Sequence, residues 1–277
     1  HRLEKGLLMR PRRDLFALKY INETMSVYER CLRSSCAEED SSELIWAHDV
    51  LAEYFKATGS DPLLDTLRER FSELPEVSSE PSKGQSASPY LRNLEGPLPV
   101  EYEAFYKLSK RRRSVRWFKP EPVPRELIDK ALSAAIEAPS ACNRQPFQFH
   151  IFDEPELVKK ISTLPMGTKG YAQNIQTIVV VVGHLHAYFH PRDRHLIYID
   201  SSLAAMGFMY ALETLGLSSC PINWPDIPSR ERKMAKALKL DPDQRPIMLI
   251  AVGYPDPEGA VAFSQKHSLD SIRSYNS

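Results

Sequence analysis

The sequence predicts an α+β chain carrying an N-terminal helical region. Three observations lead there. Residues 1–73 repeat their apolar positions at three- and four-residue steps. Residues 74–99 turn rich in serine, proline and glutamate and lose all periodicity. From residue 100 onward, helix-length periodic segments are interspersed with short β-branched runs. The expected organisation is therefore a helical region at 1–73, a linker at 74–99 and an α+β domain at 100–277.

In the first region, Leu18, Ile21, Met25, Tyr28 and Leu32 fall on one face of a helix. Ser42 is placed to cap a second helix, whose apolar side carries Leu44, Ala47, Leu51, Tyr54 and Phe55. Asp61-Pro62 is a helix start: an N-cap oxygen followed by a proline whose missing N–H costs nothing in the first turn. Its helix would carry Leu63, Leu64, Leu67 and Phe71. The opening residues 1–7 read as a capped turn.

In the second region, 101–110 is a short helix. Pro124 opens another, with Leu127, Ile128, Ala131, Leu132 and Ala135 facing inward and Pro139 beyond its end. Phe147–Phe152 alternates and reads as a strand, 177–183 as a fully buried one, and 247–254 as the last clear strand. A long helix fits 193–215, with Leu196, Ile199, Leu203, Met206, Met209, Tyr210 and Leu215 on its apolar side and Gly216 closing it. Residues 234–240 look helical.

Composition narrows the function. The 36 lysines and arginines equal the 36 aspartates and glutamates, leaving no global charge to attract nucleic acid or an anionic membrane. No apolar stretch approaches the ~18 residues of a membrane span. Neither nucleic acid nor membrane is expected as a partner. Cys31, Cys36, Cys142 and Cys220 show no C-x-x-C pair, as expected of reduced thiols in a cytoplasmic protein.

Against this neutral background, two motifs stand out. Residues 111–118 read Arg-Arg-Arg-Ser-Val-Arg-Trp-Phe, and 138–147 read Ala-Pro-Ser-Ala-Cys-Asn-Arg-Gln-Pro-Phe. Arginines and a serine offer a phosphate-bearing cofactor fixed positive charge, forked donors and a hydroxyl. Asn and Gln can meet both the donor and the acceptor edge of a heterocycle.

The two motifs, in this order and around a helix, resemble the signature of the nitroreductase family, FMN-dependent oxidoreductases that take electrons from NAD(P)H. The likeness runs from about Tyr102 to Asn276 and includes Leu215-Gly216-Leu217, Pro221-Ile222 and Val252-Gly253-Tyr254-Pro255. Phe147 stands where tryptophan is commoner. The resemblance implies a mainly antiparallel central sheet flanked by helices, FMN as cofactor, NAD(P)H as donor, a small-molecule substrate, and a homodimer with the flavin at its interface. It implies that Arg112, Arg113, Ser114 and Arg116 hold the flavin phosphate, ribityl chain and pyrimidine edge. Pro139, Ser140, Ala141 and Asn143 would reach the flavin from the partner subunit. Pro221, Ile222, Asn223 and Trp224 would carry backbone past its reactive nitrogen, and Lys266 would reach its phosphate. Where many relatives have glutamate-glycine this chain has Asn223-Trp224, so the indole is expected to add bulk near the flavin.

The resemblance supplies no catalytic acid or base. Alternatives are a specialised flavin protein of dehalogenase or flavin-destructase type, and a flavin-binding scaffold whose N-terminal helices bind a partner. Segment 184–195 holds His184, His186, His190 and His195, but the spacing matches no closed metal site, and no metal is expected there.

Overall fold

The computed structural model describes residues 1–33, 41–75, 77, 86–92 and 94–276. Two compact units emerge, His1–Pro97 and Leu98–Ser277. Cys36 and much of the serine- and proline-rich stretch (76, 78–85 and 93) lie outside the described residues.

The first unit holds α1 (Arg2–Leu7), α2 (Ile21–Arg33), α3 (Ser41–Ala57) and α4 (Pro62–Ser72). Ile21, Met25, Leu51, Tyr54, Leu64 and Leu67 form the centre of its core. Asp61 caps α4 as its sequence requires: the carboxylate accepts from the N–H groups of Leu63 at 2.9 Å and Leu64 at 3.4 Å. The guanidinium of Arg68 in turn serves the end of α3, donating to the carbonyls of Phe55, Thr58 and Gly59 at 3.1, 2.6 and 2.7 Å. Several local expectations are corrected. Residues 2–7 form a helix rather than a turn, Leu18 precedes α2, and Ser42 lies inside α3. For α2 and α3 periodicity located the apolar face but not the residue at which the helix starts.

The second unit contains α5 (Tyr102–Arg111), α6 (Arg125–Ala135), β1 (Phe147–Phe152), α7 (Pro155–Ser162), β2 (Thr177–His184), α8 (Leu196–Thr214), β3 (Ser218–Asn223), α9 (Pro228–Leu238), β4 (Gln244–Gly253) and α10 (Leu269–Ile272). The strands form one antiparallel sheet in the order β1-β2-β4-β3. Period-2 alternation divides β2 between two cores. Val179 and Val181 pack with residues of α6 and α8, whereas Ile178, Val180 and Val182 pack with residues of α7 and α9. That two-sided covering is why β2 reads as a continuous apolar run.

Helix α8 ends as the sequence suggests. Gly216 takes φ +78°, and the N–H of Leu217 returns to the Leu212 carbonyl at 3.0 Å. Its buried side is another matter. Ile197, Ala204, Ala205, Phe208 and Leu212 are buried, while Ile199 and Leu203 of the expected apolar side are 48 % and 45 % exposed. A helix apolar almost all round carries no period to choose between its faces. Strand β3 and helix α7 were not read in advance. In β3, Pro221 breaks the usual strand composition, and it is tolerated there because β3 is an edge strand. Helix α9 starts six residues earlier than residue 234 and stops at Lys239, which takes φ +56°.

Candidate functional site

The first motif is a short strand-like run laid against the free edge of β3. Ser114 bridges Ser219 in parallel, with the Val115 N–H on the Ser219 carbonyl at 3.0 Å. Farther on, Phe118 bridges Pro255, and Asn174 clasps the Phe118 backbone from both sides, accepting at 2.6 Å and donating at 3.1 Å. Gly253 permits this closeness, since a Cβ there would stand 2.8 Å from the Phe118 ring. The motif is therefore fixed to the sheet at both ends.

Its arginines divide in role. Arg111 pairs with the buried Glu213 at 3.5 Å. Arg113 donates to the Arg112 carbonyl at 2.9 Å. Arg116 is exposed and lies over the Tyr171 ring, 5.8 Å from its centroid. Arg112 is different: its Nη1 is buried and has no hydrogen-bond partner among the described residues, and the buried Ser219 hydroxyl beside the motif also lacks one there. Nearby, burial pushes the Tyr171 phenol up to about 12 and raises the Cys220 thiol. Both groups stay neutral at ordinary pH, so neither offers Arg112 or Arg116 a compensating charge. A buried guanidinium nitrogen without an acceptor is costly unless an anion completes it. Donors, hydroxyls and uncompensated charge suit a phosphate-bearing group.

Along β3 from Ser219 run Pro221, Ile222 and the exposed Asn223. Trp224 corrects an expectation. Its indole is buried in the core with Val115, Tyr171 and Met234, and its Nε1 donates to Glu231 of α9. Only its backbone remains to face a ligand.

The second motif forms a separate construction. Residues Ala141–Asn143 make one 3-10 turn, with left-handed φ at Cys142, Asn143 and Gln145. The Ser140 hydroxyl accepts the Gln145 N–H at 2.9 Å. The buried Asp200 of α8 accepts from the Ala141 N–H at 3.0 Å and from the Tyr188 hydroxyl. Burial and that bond to Asp200 raise the Tyr188 phenol well above its ordinary range. The loop is held by its own Ser140 and by Asp200, while Pro139 and Asn143 remain exposed.

Strand register shows that the two motifs are not neighbours within one chain. The first lies beside β3 at the end where Ser218 pairs with Gly253. The second leads into β1 at the other edge, where Phe147 pairs with Gly183 and His184 with Gln244. These are diagonal corners of the sheet, more than about 20 Å apart on ordinary strand spacings. Lys266 is exposed in the irregular segment after β4, and none of its described contacts is with the arginine motif. Sequence reading missed Asn174, Ser219, Tyr171, Asp200 and Tyr188. None sits in a recognisable motif, and only folding brings them to the two loops.

A protein-family model described as the nitroreductase family matches residues 109–254, more than half of the chain. Iodotyrosine deiodinase 1 of Rattus norvegicus is 24% identical, over 66% of this chain and 73% of that protein. An NADH dehydrogenase of Thermus thermophilus is 28% identical, over 54% of this chain and 85% of its own length. A solved structure from Parabacteroides distasonis, described as an NADH dehydrogenase/NAD(P)H nitroreductase, superposes with a TM-score of 0.55 at 25% identity, covering 62% of this chain and 97% of that one. The likeness covers the sheet, the flanking helices and the arginine motif together, and the chain belongs to the nitroreductase family.

Proposed function

We propose that this chain is an FMN-dependent oxidoreductase that passes hydride from NAD(P)H to a small-molecule acceptor, and that it works as a homodimer. The observation that carries the reading is the buried, partnerless Nη1 of Arg112 beside Ser114, Arg116 and Ser219. In this reading Arg112 and Ser114 donate to the flavin phosphate. Arg116 faces the pyrimidine edge, where a cation favours the reduced, anionic form. Arg113 contributes its backbone, and Pro221, Ile222, Asn223 and the Trp224 backbone run beside the ring. Bound flavin supplies the hydride chemistry.

Two copies are needed because the motifs occupy opposite corners of one sheet. Pro139, Ser140, Ala141 and Asn143 of one copy would then complete the cradle of the other. Exposed apolar side chains support such an interface: Phe105 and Tyr106 of α5, Ile199 and Leu203 of α8, and Phe263 and Ile272 near the C-terminus. In a dimer the C-terminal segment could bring Lys266 to the phosphate.

The test is an absorption spectrum after adding FMN and desalting. Retained bands near ~450 and ~370 nm that bleach with NADH or NADPH support the reading, and no retained flavin refutes it. A second reading, reductive dehalogenation of a halogenated phenol, is favoured by the relatives named iodotyrosine deiodinase. Turnover of a halotyrosine in preference to a nitroaromatic by the reduced protein would select it.

A further inference from the structure

The end of β2 carries a cluster that the flavin reading does not use. His184 is the last residue of β2, His186 sits in the 3-10 turn Leu185–Ala187, and Asp243 immediately precedes β4. Each offers one ligand atom, and these atoms lie within 4.8 Å of one another. We propose that His184, His186 and Asp243 form a binding site for a divalent transition-metal ion of the zinc type.

Scaffold, chemistry and access all support it. His184 is placed by the sheet, and His186 and Asp243 lie in turns directly joined to its strands. His184 is paired across the ladder with Gln244, its N–H bonds the Pro146 carbonyl at 2.9 Å, and the Leu185 N–H bonds the Asp243 carbonyl at 3.0 Å. The second of these bonds joins the two segments that bear the ligands, which holds them together before any ion arrives. The two imidazole rings stand 5.3 Å apart at 74°, and His186 Nδ1 already meets Asp243 Oδ2 directly. An ion would take the place of the proton held between those two atoms. Ligand atoms around one tetrahedral ion sit about 3.3 Å apart at metal–ligand distances of about 2.0–2.1 Å, so small side-chain rotations close the set.

Two imidazoles and a carboxylate suit Zn2+, Co2+, Ni2+ or Cu2+ and suit Ca2+ or Mg2+ poorly. His186 is exposed, which gives the ion an entry path and leaves a coordination position open to water. The Arg245 guanidinium, two residues beyond Asp243, is engaged by the carbonyls of Pro242 and Gln244, both at 2.7 Å. The Gln244 amide lies 3.5 Å from His184 Nδ1, where it can orient that ring. His190 and His195 of the same segment are not part of the cluster, which is why spacing alone did not show it. The turn also matters to the second motif, because the Ala187 carbonyl receives Arg144 at 2.8 Å. A bound ion would stiffen the turn beside that loop.

The experiment is a Zn2+ titration of the untagged full chain, stripped with chelator beforehand, in competition with a chromophoric chelator. Expected is about one equivalent bound, weakened about tenfold or more in His186→Ala and in Asp243→Asn and unchanged in His190→Ala. Both substituted side chains are at or near the surface, and a melting curve checks that each variant is folded. Co2+ in place of Zn2+ should give visible absorption bands that the His186→Ala variant loses. Absence of a stoichiometric ion, an affinity in His186→Ala and Asp243→Asn equal to that of the unsubstituted chain, or loss of binding in His190→Ala overturns the site. Because the readout is metal affinity, it stands or falls independently of flavin.

Discussion

The two motifs of the second unit are built on opposite plans. At the β3 edge the arginine motif is rigid in its backbone but incomplete in its hydrogen bonding, with Arg112 Nη1 and the Ser219 hydroxyl buried and partnerless. At the β1 corner the proline-serine loop is braced: Asp200 accepts the Ala141 N–H, Ser140 accepts the Gln145 N–H, and Tyr188 donates to Asp200. One region leaves buried polar groups unpaired; the other is held by its own hydrogen bonds and exposes Pro139 and Asn143. The difference teaches that a ligand-binding half and a shape-presenting half can be distinguished by which polar groups remain unpaired.

The largest effect should come from Asp200→Ala. It leaves the Ala141 N–H and the Tyr188 hydroxyl unpaired in a buried place, so we expect a loss of about 2–4 kcal/mol of stability in a denaturant melt. A loss under about 1 kcal/mol would mean that the loop is held by something else. Next is Arg112→Gln, expected to weaken FMN binding by about 30-fold, which is about 2 kcal/mol, as a charge-assisted contact implies. Stability should change little, because Arg112 is part-exposed and its buried nitrogen makes no hydrogen bond to lose. Unchanged FMN affinity would contradict the contrast directly.

These two residues also show what the sequence could convey. Arg112 was legible because it stands in a dense basic run beside a serine. Asp200 was not, since a lone aspartate in an apolar helix carries no signal until Ala141 and Tyr188 are brought to it. The same holds for the fold. Both ends of β1 and the end of α8 followed from alternation and from Gly216. Strand β3 did not, because Pro221 and two serines contradict strand composition and only the pairing with β4 overrides it. Trp224 was misread for a related reason: a large aromatic next to a loop can face either way, and here Glu231 and the core draw it inward.

Smaller effects refine the picture. Gly216→Ala should cost about 1 kcal/mol, because φ +78° strains any residue with a Cβ; no neighbouring atom would obstruct the methyl itself. Its signature is a lower melting temperature with unchanged FMN affinity. The smallest concerns Arg125 and Asp153, which join the start of α6 to the end of β1 at 2.6 and 2.9 Å. The hydrogen bond from Arg125 holds the Asp153 carboxyl below its usual range. A lowered folded value means that the contribution is present above the unfolded carboxylate range and is lost as pH falls through the folded value. Asp153→Asn should therefore flatten the acid limb of the stability profile slightly, by less than about 1 kcal/mol, as for surface pairs generally.

The central claim, that one site draws its two halves from two copies, is tested most directly by mixing two defective chains. Arg112→Gln damages the first motif, and Asn143→Glu adds bulk and charge to the exposed tip of the second. Each variant alone should retain little FMN after desalting. Refolded together, they should form mixed dimers in which one site has both halves intact, restoring about one flavin per mixed pair. Absence of restoration in mixed dimers shown to have formed would contradict the account and place both halves of the site within a single chain.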